Sequence, residues 1–234
     1  MRKIEAEIVD IFSSVQGEGI FVGAKQVFVR FKRCNMSCAF CDEDKDAEPR
    51  FYTPAALMEE IESLEEAKGI HHSVSLTGGE PLMYPDFLKA LLPLLRKKSK
   101  KSYLETNGTL PEELYGVIDL VDIVAMDFKL PSSTGERAFW DEHLEFLKIA
   151  LKKNVFVKIV VTPDTTIEDV EKTVGLINKA GKSIPLILQP VTPVGPGAKE
   201  VSREMLLEFL EIGLKNNLDH IRVIPQVHKM LKMK

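Results

Sequence analysis

The sequence predicts an α/β fold in which parallel strands, each followed by a helix, close only part of the way round a (β/α)6 barrel. Short apolar runs alternate with longer segments whose apolar residues recur at three- and four-residue spacing, so strand and helix periods succeed one another along the chain. The units number about six, short of the eight in a closed barrel. The length, 234 residues, suits one large domain with a sizeable core and is short for two. Residues 1–234 are therefore read as a single domain.

Ile4 to Ile11 alternates as a first strand and runs into a loop, Phe12 to Gly19, where Gly17 and Gly19 flank Glu18 and let the backbone approach a ligand closely. Val27 to Phe31 is the next strand. Arg30 shares the face of Phe28, so its guanidinium points inward or at the strand end and requires an anionic partner. Beyond a polar stretch, Asp42 to Arg50, Thr53-Pro54 opens a helix with a capping hydroxyl and a proline in its first turn. That helix turns Leu57, Ile61 and Leu64 inward and ends at Gly69. Ser73 to Leu76 is a strand. The following helix carries Phe87, Leu88, Leu91, Leu92 and Leu95, and Pro93 is expected to kink or split it.

Ser102 to Gly108 reads as a strand running into a turn, and Val121 to Met126 as another strand. A helix with Trp140, Leu144, Leu147 and Leu151 on one face precedes the strand Val155 to Val161. Thr166 caps a helix facing inward through Ile167, Val170, Val174 and Ile177 and stopping at Gly181. Then come strand Pro185 to Leu188, a Pro/Gly-rich loop from Gln189 to Gly197, a helix from Ser202 to about Lys215, and a last strand, His220 to Ile224.

Hydrophobic residues make up 44% and charged residues 28%, an ordinary globular balance, and a net charge of −4 lacks the basic excess of a nucleic-acid binder. Arg96-Lys97-Lys98 and Lys100-Lys101 read as solvated helix ends, so no nucleic-acid partner is expected. Met1 to Glu7 alternates charge with apolar residues and lacks the apolar stretch of a signal peptide. No apolar run approaches the length of a membrane span. A cytoplasmic protein with no membrane partner is expected.

All three cysteines fall in Cys34-Asn35-Met36-Ser37-Cys38-Ala39-Phe40-Cys41, with spacing C-x3-C-x2-C. Thiolates so spaced can wrap a compact metal centre. A [4Fe–4S] cluster ordinarily takes four cysteines, so three leave one iron open to another ligand, and the motif becomes a catalytic proposal. Competing readings are reduced core cysteines and a zinc site completed by a distant His220 or His228. A disulfide framework is disfavoured by the odd count and the absence of secretory marks.

Further polar motifs fall where a strand gives way to its loop: Thr77-Gly78-Gly79-Glu80-Pro81, Glu105-Thr106-Asn107, Asp127-Phe128-Lys129 and Gln189. In barrel enzymes that rim builds the active site. Gly78 and Gly79 offer bare backbone and Glu80 a carboxylate to an ammonium group. Glu105, Asn107 and the Asp127/Lys129 pair supply acceptors and donors for hydroxyls and a carboxylate. Taken singly, each reads equally well as a capped strand end or a plain turn.

The cysteine spacing, with Phe40 just before Cys41, resembles the radical S-adenosylmethionine (radical SAM) superfamily, where the open iron binds the amino and carboxylate groups of SAM. A wider set narrows the resemblance: Ile11-Phe12-x-Ser14-x-Gln16-Gly17-Glu18-Gly19, Phe28-Val29-Arg30, Cys41-Asp42, Thr77-Gly78-Gly79-Glu80-Pro81, Glu105-Thr106-Asn107-Gly108, Leu188-Gln189-Pro190 and Arg222 to Lys229. Together these resemble the 7-carboxy-7-deazaguanine synthase family of the queuosine pathway. The Gln-Gly-Glu-Gly loop and the Pro225-Gln226-Val227-His228-Lys229 tail are the family-specific parts.

The resemblance implies a partial barrel of the radical SAM type and a [4Fe–4S] cluster on Cys34, Cys38 and Cys41. It implies conversion of 6-carboxy-5,6,7,8-tetrahydropterin to 7-carboxy-7-deazaguanine, through hydrogen abstraction by a 5′-deoxyadenosyl radical, ring contraction and loss of ammonia. SAM is expected at Phe40, Cys41, Asp42, Gly78, Gly79, Glu80, Glu105, Asn107, Asp127, Phe128, Lys129, Gln189, Pro190, Val191 and Thr192. The pterin is expected at Val15, Gln16, Gly17, Glu18, Arg30, Thr77, Gln226, His228 and Lys234, with Arg30 meeting its carboxylate bidentately. Residues 1–26 and the tail 225–234 are expected to complete the substrate pocket.

A flavodoxin or ferredoxin reductant and a homodimer are also implied. Two positions depart from the family pattern. Members depend on Mg²⁺, held by a hydroxyl where this chain has Glu43, itself an oxygen ligand suited to Mg²⁺. Asp127-Phe128-Lys129 stands where Ser-Pro-Lys is usual. A glycyl-radical-enzyme activase and a non-catalytic zinc-binding module remain as alternative functions.

Overall fold

The structure is a computed structural model that describes residues 4–181, 183–193 and 199–234. Residues 194–197 of the Pro/Gly-rich loop, and the first three of the chain, lie outside the described residues. The strands are β1 (Ala6–Val15), β2 (Lys25–Phe31), β3 (Arg50–Tyr52), β4 (Ser73–Gly78), β5 (Ser102–Thr106), β6 (Ile123–Asp127), β7 (Asn154–Val161), β8 (Leu186–Pro190) and β9 (Ile221–Val223). The helices are α1 (Pro54–Lys68), α2 (Pro85–Lys97), α3 (Pro111–Tyr115), α4 (Pro131–Thr134), α5 (Trp140–Ala150), α6 (Ile167–Ala180), α7 (Arg203–Lys215) and α8 (Val227–Met230).

One sheet runs in the order β3-β1-β2-β4-β5-β6-β7-β8-β9, and its edges do not meet. β2 and β4 through β9 pair in parallel, while β1 pairs antiparallel to both β2 and β3. Each parallel crossover carries at least one helix, as βαβ geometry requires, which is the expected six-unit open barrel. The antiparallel flank differs from the sequence reading. Phe12 to Val15 belongs to β1 rather than a loop, because β2 pairs it through Val15↔Lys25. Arg50–Tyr52 is a strand because β1 pairs it.

Strand alternation sorts the core in two. Val27, Val29, Phe31, Val74, Leu76, Leu104, Val124, Val157, Ile159 and Leu188 pack against the helices in the main cluster. Tyr103, Ile123, Phe156 and Ile187 point to the other face and form a smaller cluster, covered by Ile20 and Phe21 of a short 3₁₀ turn. The second cluster floors the barrel, and above it on that face opens a cavity lined by polar side chains together with Phe28 and Val160.

Local signals placed most helices. Thr53, Thr166 and Ser202 cap α1, α6 and α7 by accepting from Ala56, Asp169 and Met205. Two expectations fail at side-chain level: Ile167 and Leu151 are exposed, not inward, since each lies at or beyond a helix end. Pro93 does not split α2, which runs from Pro85 to Lys97 with Leu91, Leu92 and Leu95 buried. Burial of that face outweighs the roughly 3 kcal/mol a helical proline costs.

Candidate active site

The C-terminal ends of the parallel strands open into a cavity of about 920 Å³, the size of a small-molecule site. Cys34, Cys38 and Cys41 all line it. Their loop is fastened from several sides: Ala39 N donates to Thr134 O (2.9 Å), Cys41 N to Cys38 O (3.1 Å), and Ser37 N to Glu136 Oε1 (2.7 Å). Asn35 donates to Thr109 Oγ1 and accepts from Asn107 Nδ2, both at 2.8 Å. Burial pushes the Cys38 thiol up to about 11 and raises Cys34, against the pull of the Lys129 ammonium.

Behind this loop, Glu80 is fully buried. Its oxygens accept from Leu82 N (3.0 Å), Thr106 Oγ1 (3.0 Å) and Asn107 N (2.7 Å). Burial outweighs those bonds and raises its pKa to about 7. Gly79 allows the strand end to touch the cysteine loop: a Cβ there would lie 2.1 Å from Arg33 O.

Deeper in the cavity a polar layer rests on the apolar floor. Gln16 Nε2 donates to Gln26 Oε1 and to Glu105 Oε1, each at 3.0 Å, and Glu105 also accepts from Ser75 (2.7 Å) and Thr77 (3.1 Å). Glu18 is ion-paired with Lys158 and accepts from Gln226 Nε2 at 2.8 Å. Burial opposes ionisation of Glu18, but the Lys158 charge and these hydrogen bonds prevail and set its pKa at about 2. Lys158 also lies 3.5 Å from Asp127 Oδ2, to which Lys129 Nζ donates at 2.8 Å. Burial disfavours the charge on Lys158, but Glu18 and Asp127 outweigh it and raise its pKa above the ordinary lysine value. Two acceptors here, Asp127 Oδ1 and Gln189 Oε1, are buried without a partner, so a ligand's donors would find them free.

The C-terminal tail forms one wall. Val227 N donates to Gly17 O (2.9 Å), and a Cβ on Gly17 would fall 2.0 Å from His228 Nδ1. Lys229 Nζ donates to Asp42 Oδ2 (2.5 Å), and Lys234 Nζ pairs with Asp10 (2.6 Å). Beside the tail's end, the rings of Phe12 and Phe28 stack at 5.1 Å and 10°, with Lys234 Nζ 4.8 Å and the Arg30 guanidinium 5.9 Å from the Phe12 ring centre.

Comparison with known proteins agrees with this architecture. The Radical SAM superfamily model matches residues 28–177. A curated 7-carboxy-7-deazaguanine synthase from Geobacter sulfurreducens is 40% identical, over 99% of this chain and 99% of its own. The chain belongs to the 7-carboxy-7-deazaguanine synthase family. A second relative of the same name, from Methanothermobacter thermautotrophicus, is 34% identical over the whole of both chains. The crystal structure of QueE from Escherichia coli matches the fold with a TM-score of 0.65 at 20% identity, covering 96% of this chain and 95% of that one.

As a 7-carboxy-7-deazaguanine synthase family member the chain is a radical SAM enzyme, and the activase and zinc-module alternatives fall away. The radical SAM family carries a [4Fe–4S] cluster and SAM, and the residues present fit both. Among the described residues no three His, Cys, Asp or Glu side chains converge on one ion. A cluster binds each thiolate to its own iron and needs no such convergence; mononuclear zinc does. The free acceptors on Asp127 and Gln189, in the cavity that half-buried Phe40 also lines, suit the donors of SAM.

Most of the residues expected from the sequence reach the cavity: of those expected at SAM or Mg²⁺, Phe40, Asp42, Glu43, Gly78, Gly79, Glu105, Asn107, Asp127, Lys129, Gln189, Val191 and Thr192, and of those expected at the pterin, Val15, Gln16, Gly17, Glu18, Arg30, Thr77, Gln226, His228 and Lys234. Glu80, Phe128 and Pro190 do not line it. Glu80 is consumed by internal hydrogen bonds, and Phe128, fully buried, stacks on His143 at 4.5 Å. Pro190 follows inward-facing Gln189 in β8, and alternation turns it away. Glu43, expected to be available to Mg²⁺, is ion-paired with Arg30.

Lys158 is the residue the sequence reading missed. Its signal was a lone charge on the same strand face as Phe156 and Val160, within an otherwise apolar run.

Proposed function

We propose that this chain converts 6-carboxy-5,6,7,8-tetrahydropterin to 7-carboxy-7-deazaguanine with release of ammonia. The observation that carries the reading is the meeting, in one cavity, of the cysteine loop with Gln16, Glu18 and Arg30 from the start of the chain and Gln226 and His228 from its end. The names of the full-length relatives support it. When bound, the cluster and SAM supply the radical that begins the reaction.

The chain's own part is positioning. Glu18, held ionised by Lys158, is an acceptor for the N–H edge of the pterin ring, and Arg30 is the donor for its carboxylate. Glu105, fixed by Gln16, Ser75 and Thr77, offers a second oriented acceptor. The stacked Phe12 and Phe28 rings give an apolar wall, and the docked tail excludes water. Asp127 and Gln189 orient SAM.

A flavodoxin or ferredoxin as reductant, a homodimeric state, a cytoplasmic location and a Mg²⁺ requirement belong to the same reading. The Mg²⁺ requirement has the least support, since Glu43 is engaged by Arg30. No helix among the described residues is long and apolar enough to cross a membrane. The test is anaerobic reconstitution with iron and sulfide, followed by incubation with the carboxy-tetrahydropterin, SAM and a reductant. Formation of the deazaguanine supports the reading.

A further inference from the structure

Arg30 lies one residue before the end of β2 at the cavity wall, and its ion-pair partner among the described residues is Glu43. Asp10 is paired with Arg30 across the β1–β2 ladder, but its carboxylate is engaged by Lys234 at 2.6 Å. Other cations near the loop are likewise committed. Lys32 Nζ donates to Lys45 O (2.5 Å) and Ala47 O (2.8 Å), Lys45 Nζ to Ser37 Oγ (3.0 Å), and Lys229 Nζ to Asp42. Glu43 is thus held on a short span between fastened points, with Arg30 as its recorded partner.

The pair lines the cavity and is partly exposed, 28% for the Arg30 side chain and 32% for that of Glu43. Water reaches it, so it is a weak, exchangeable contact. We propose that Glu43 tempers the preference for a carboxylate ligand: its own carboxylate holds the seat on Arg30 that a ligand carboxylate must take. An anionic ligand replaces one carboxylate by another and leaves Arg30 paired. A ligand without a carboxylate does not use the seat, so its binding does not depend on Glu43. Apparent affinity for the anion falls by the fraction of Arg30 that Glu43 occupies. The inference rests on reading the cavity as a carboxypterin site.

The experiment is calorimetric titration of the reconstituted, SAM-loaded protein with 6-carboxypterin, and in parallel with pterin lacking the carboxylate. Glu43→Gln is expected to tighten 6-carboxypterin by up to about fivefold, the ratio an exposed ion pair supplies, and to leave pterin unchanged. Arg30→Gln should abolish the preference for the carboxylate, and in the double variant the gain from Glu43→Gln should vanish. If 6-carboxypterin binds in an Arg30-dependent way but Glu43→Gln leaves it unchanged or weaker, the inference is overturned and the pterin reading stands. If 6-carboxypterin binds to none of the proteins, both are overturned.

Discussion

Glu18 and Lys158, 140 residues apart in sequence, form an ion pair in the cavity lining that joins the first loop of the chain to the middle of β7. Both side chains are largely buried, at 19% and 16% exposure, and Lys158 reaches Asp127 as well. Removing one partner leaves a buried charge uncompensated. Lys158→Met is expected to destabilise the fold by about 3–5 kcal/mol, whereas adding Glu18→Gln restores part of that loss. A double-mutant cycle in urea denaturation measures the coupling.

The same pair sets an acid limit. Glu18 has a folded pKa near 2 against an ordinary 4.5, so the unfolded state binds the extra proton as pH falls. Its stabilisation is complete above about 4.5 and lost between there and 2. Glu18→Gln should flatten that limb of a stability–pH profile.

Glu80 and His143 act in a higher window with opposite signs. Burial holds Glu80 near 7, so its contribution is present below 4.5 and lost as pH rises through 7. Burial holds His143 near 4 instead of 6.5, so its contribution is present above 6.5 and lost as pH falls through 4. The two offset each other in the parent protein. His143→Asn should therefore reveal a stability that declines from about pH 4.5 to 7, read from unfolding midpoints at stepped pH.

Gly79→Ala would set a methyl 2.1 Å from the Arg33 carbonyl, which cannot retreat because it accepts from Glu80 N at 2.7 Å. The cysteine loop would have to shift. The expected result is loss of most iron and sulfide after reconstitution, with secondary structure retained by circular dichroism.

Gly17→Ala would displace His228 and with it the tail. Limited proteolysis should then cut after Pro225 faster than in the parent. KM should rise about tenfold, the ratio given by losing ~1.4 kcal/mol of binding, with the melting temperature little changed.

What the sequence revealed follows the range of each signal. Caps at Thr53, Thr166 and Ser202 act within one helical turn and were legible. β3 and the end of β1 owe their form to pairing with distant strands, and neither Arg50–Tyr52 nor Ser13-Ser14 announces that locally. In the site, motifs located the rim but did not tell which way adjacent side chains point. Asp127 faces the cavity while Phe128 joins the core, and Glu80 turns inward because three donors surround it. The Arg30–Glu43 contact depends on the course of an irregular loop, which no periodicity encodes.

The most direct test of the central claim is product analysis by mass spectrometry. The anaerobically reconstituted protein would be given 6-carboxy-5,6,7,8-tetrahydropterin, SAM and a reductant. The account predicts 7-carboxy-7-deazaguanine in repeated turnovers, abolished by Cys38→Ala. Reductive cleavage of SAM with the pterin left intact would contradict it.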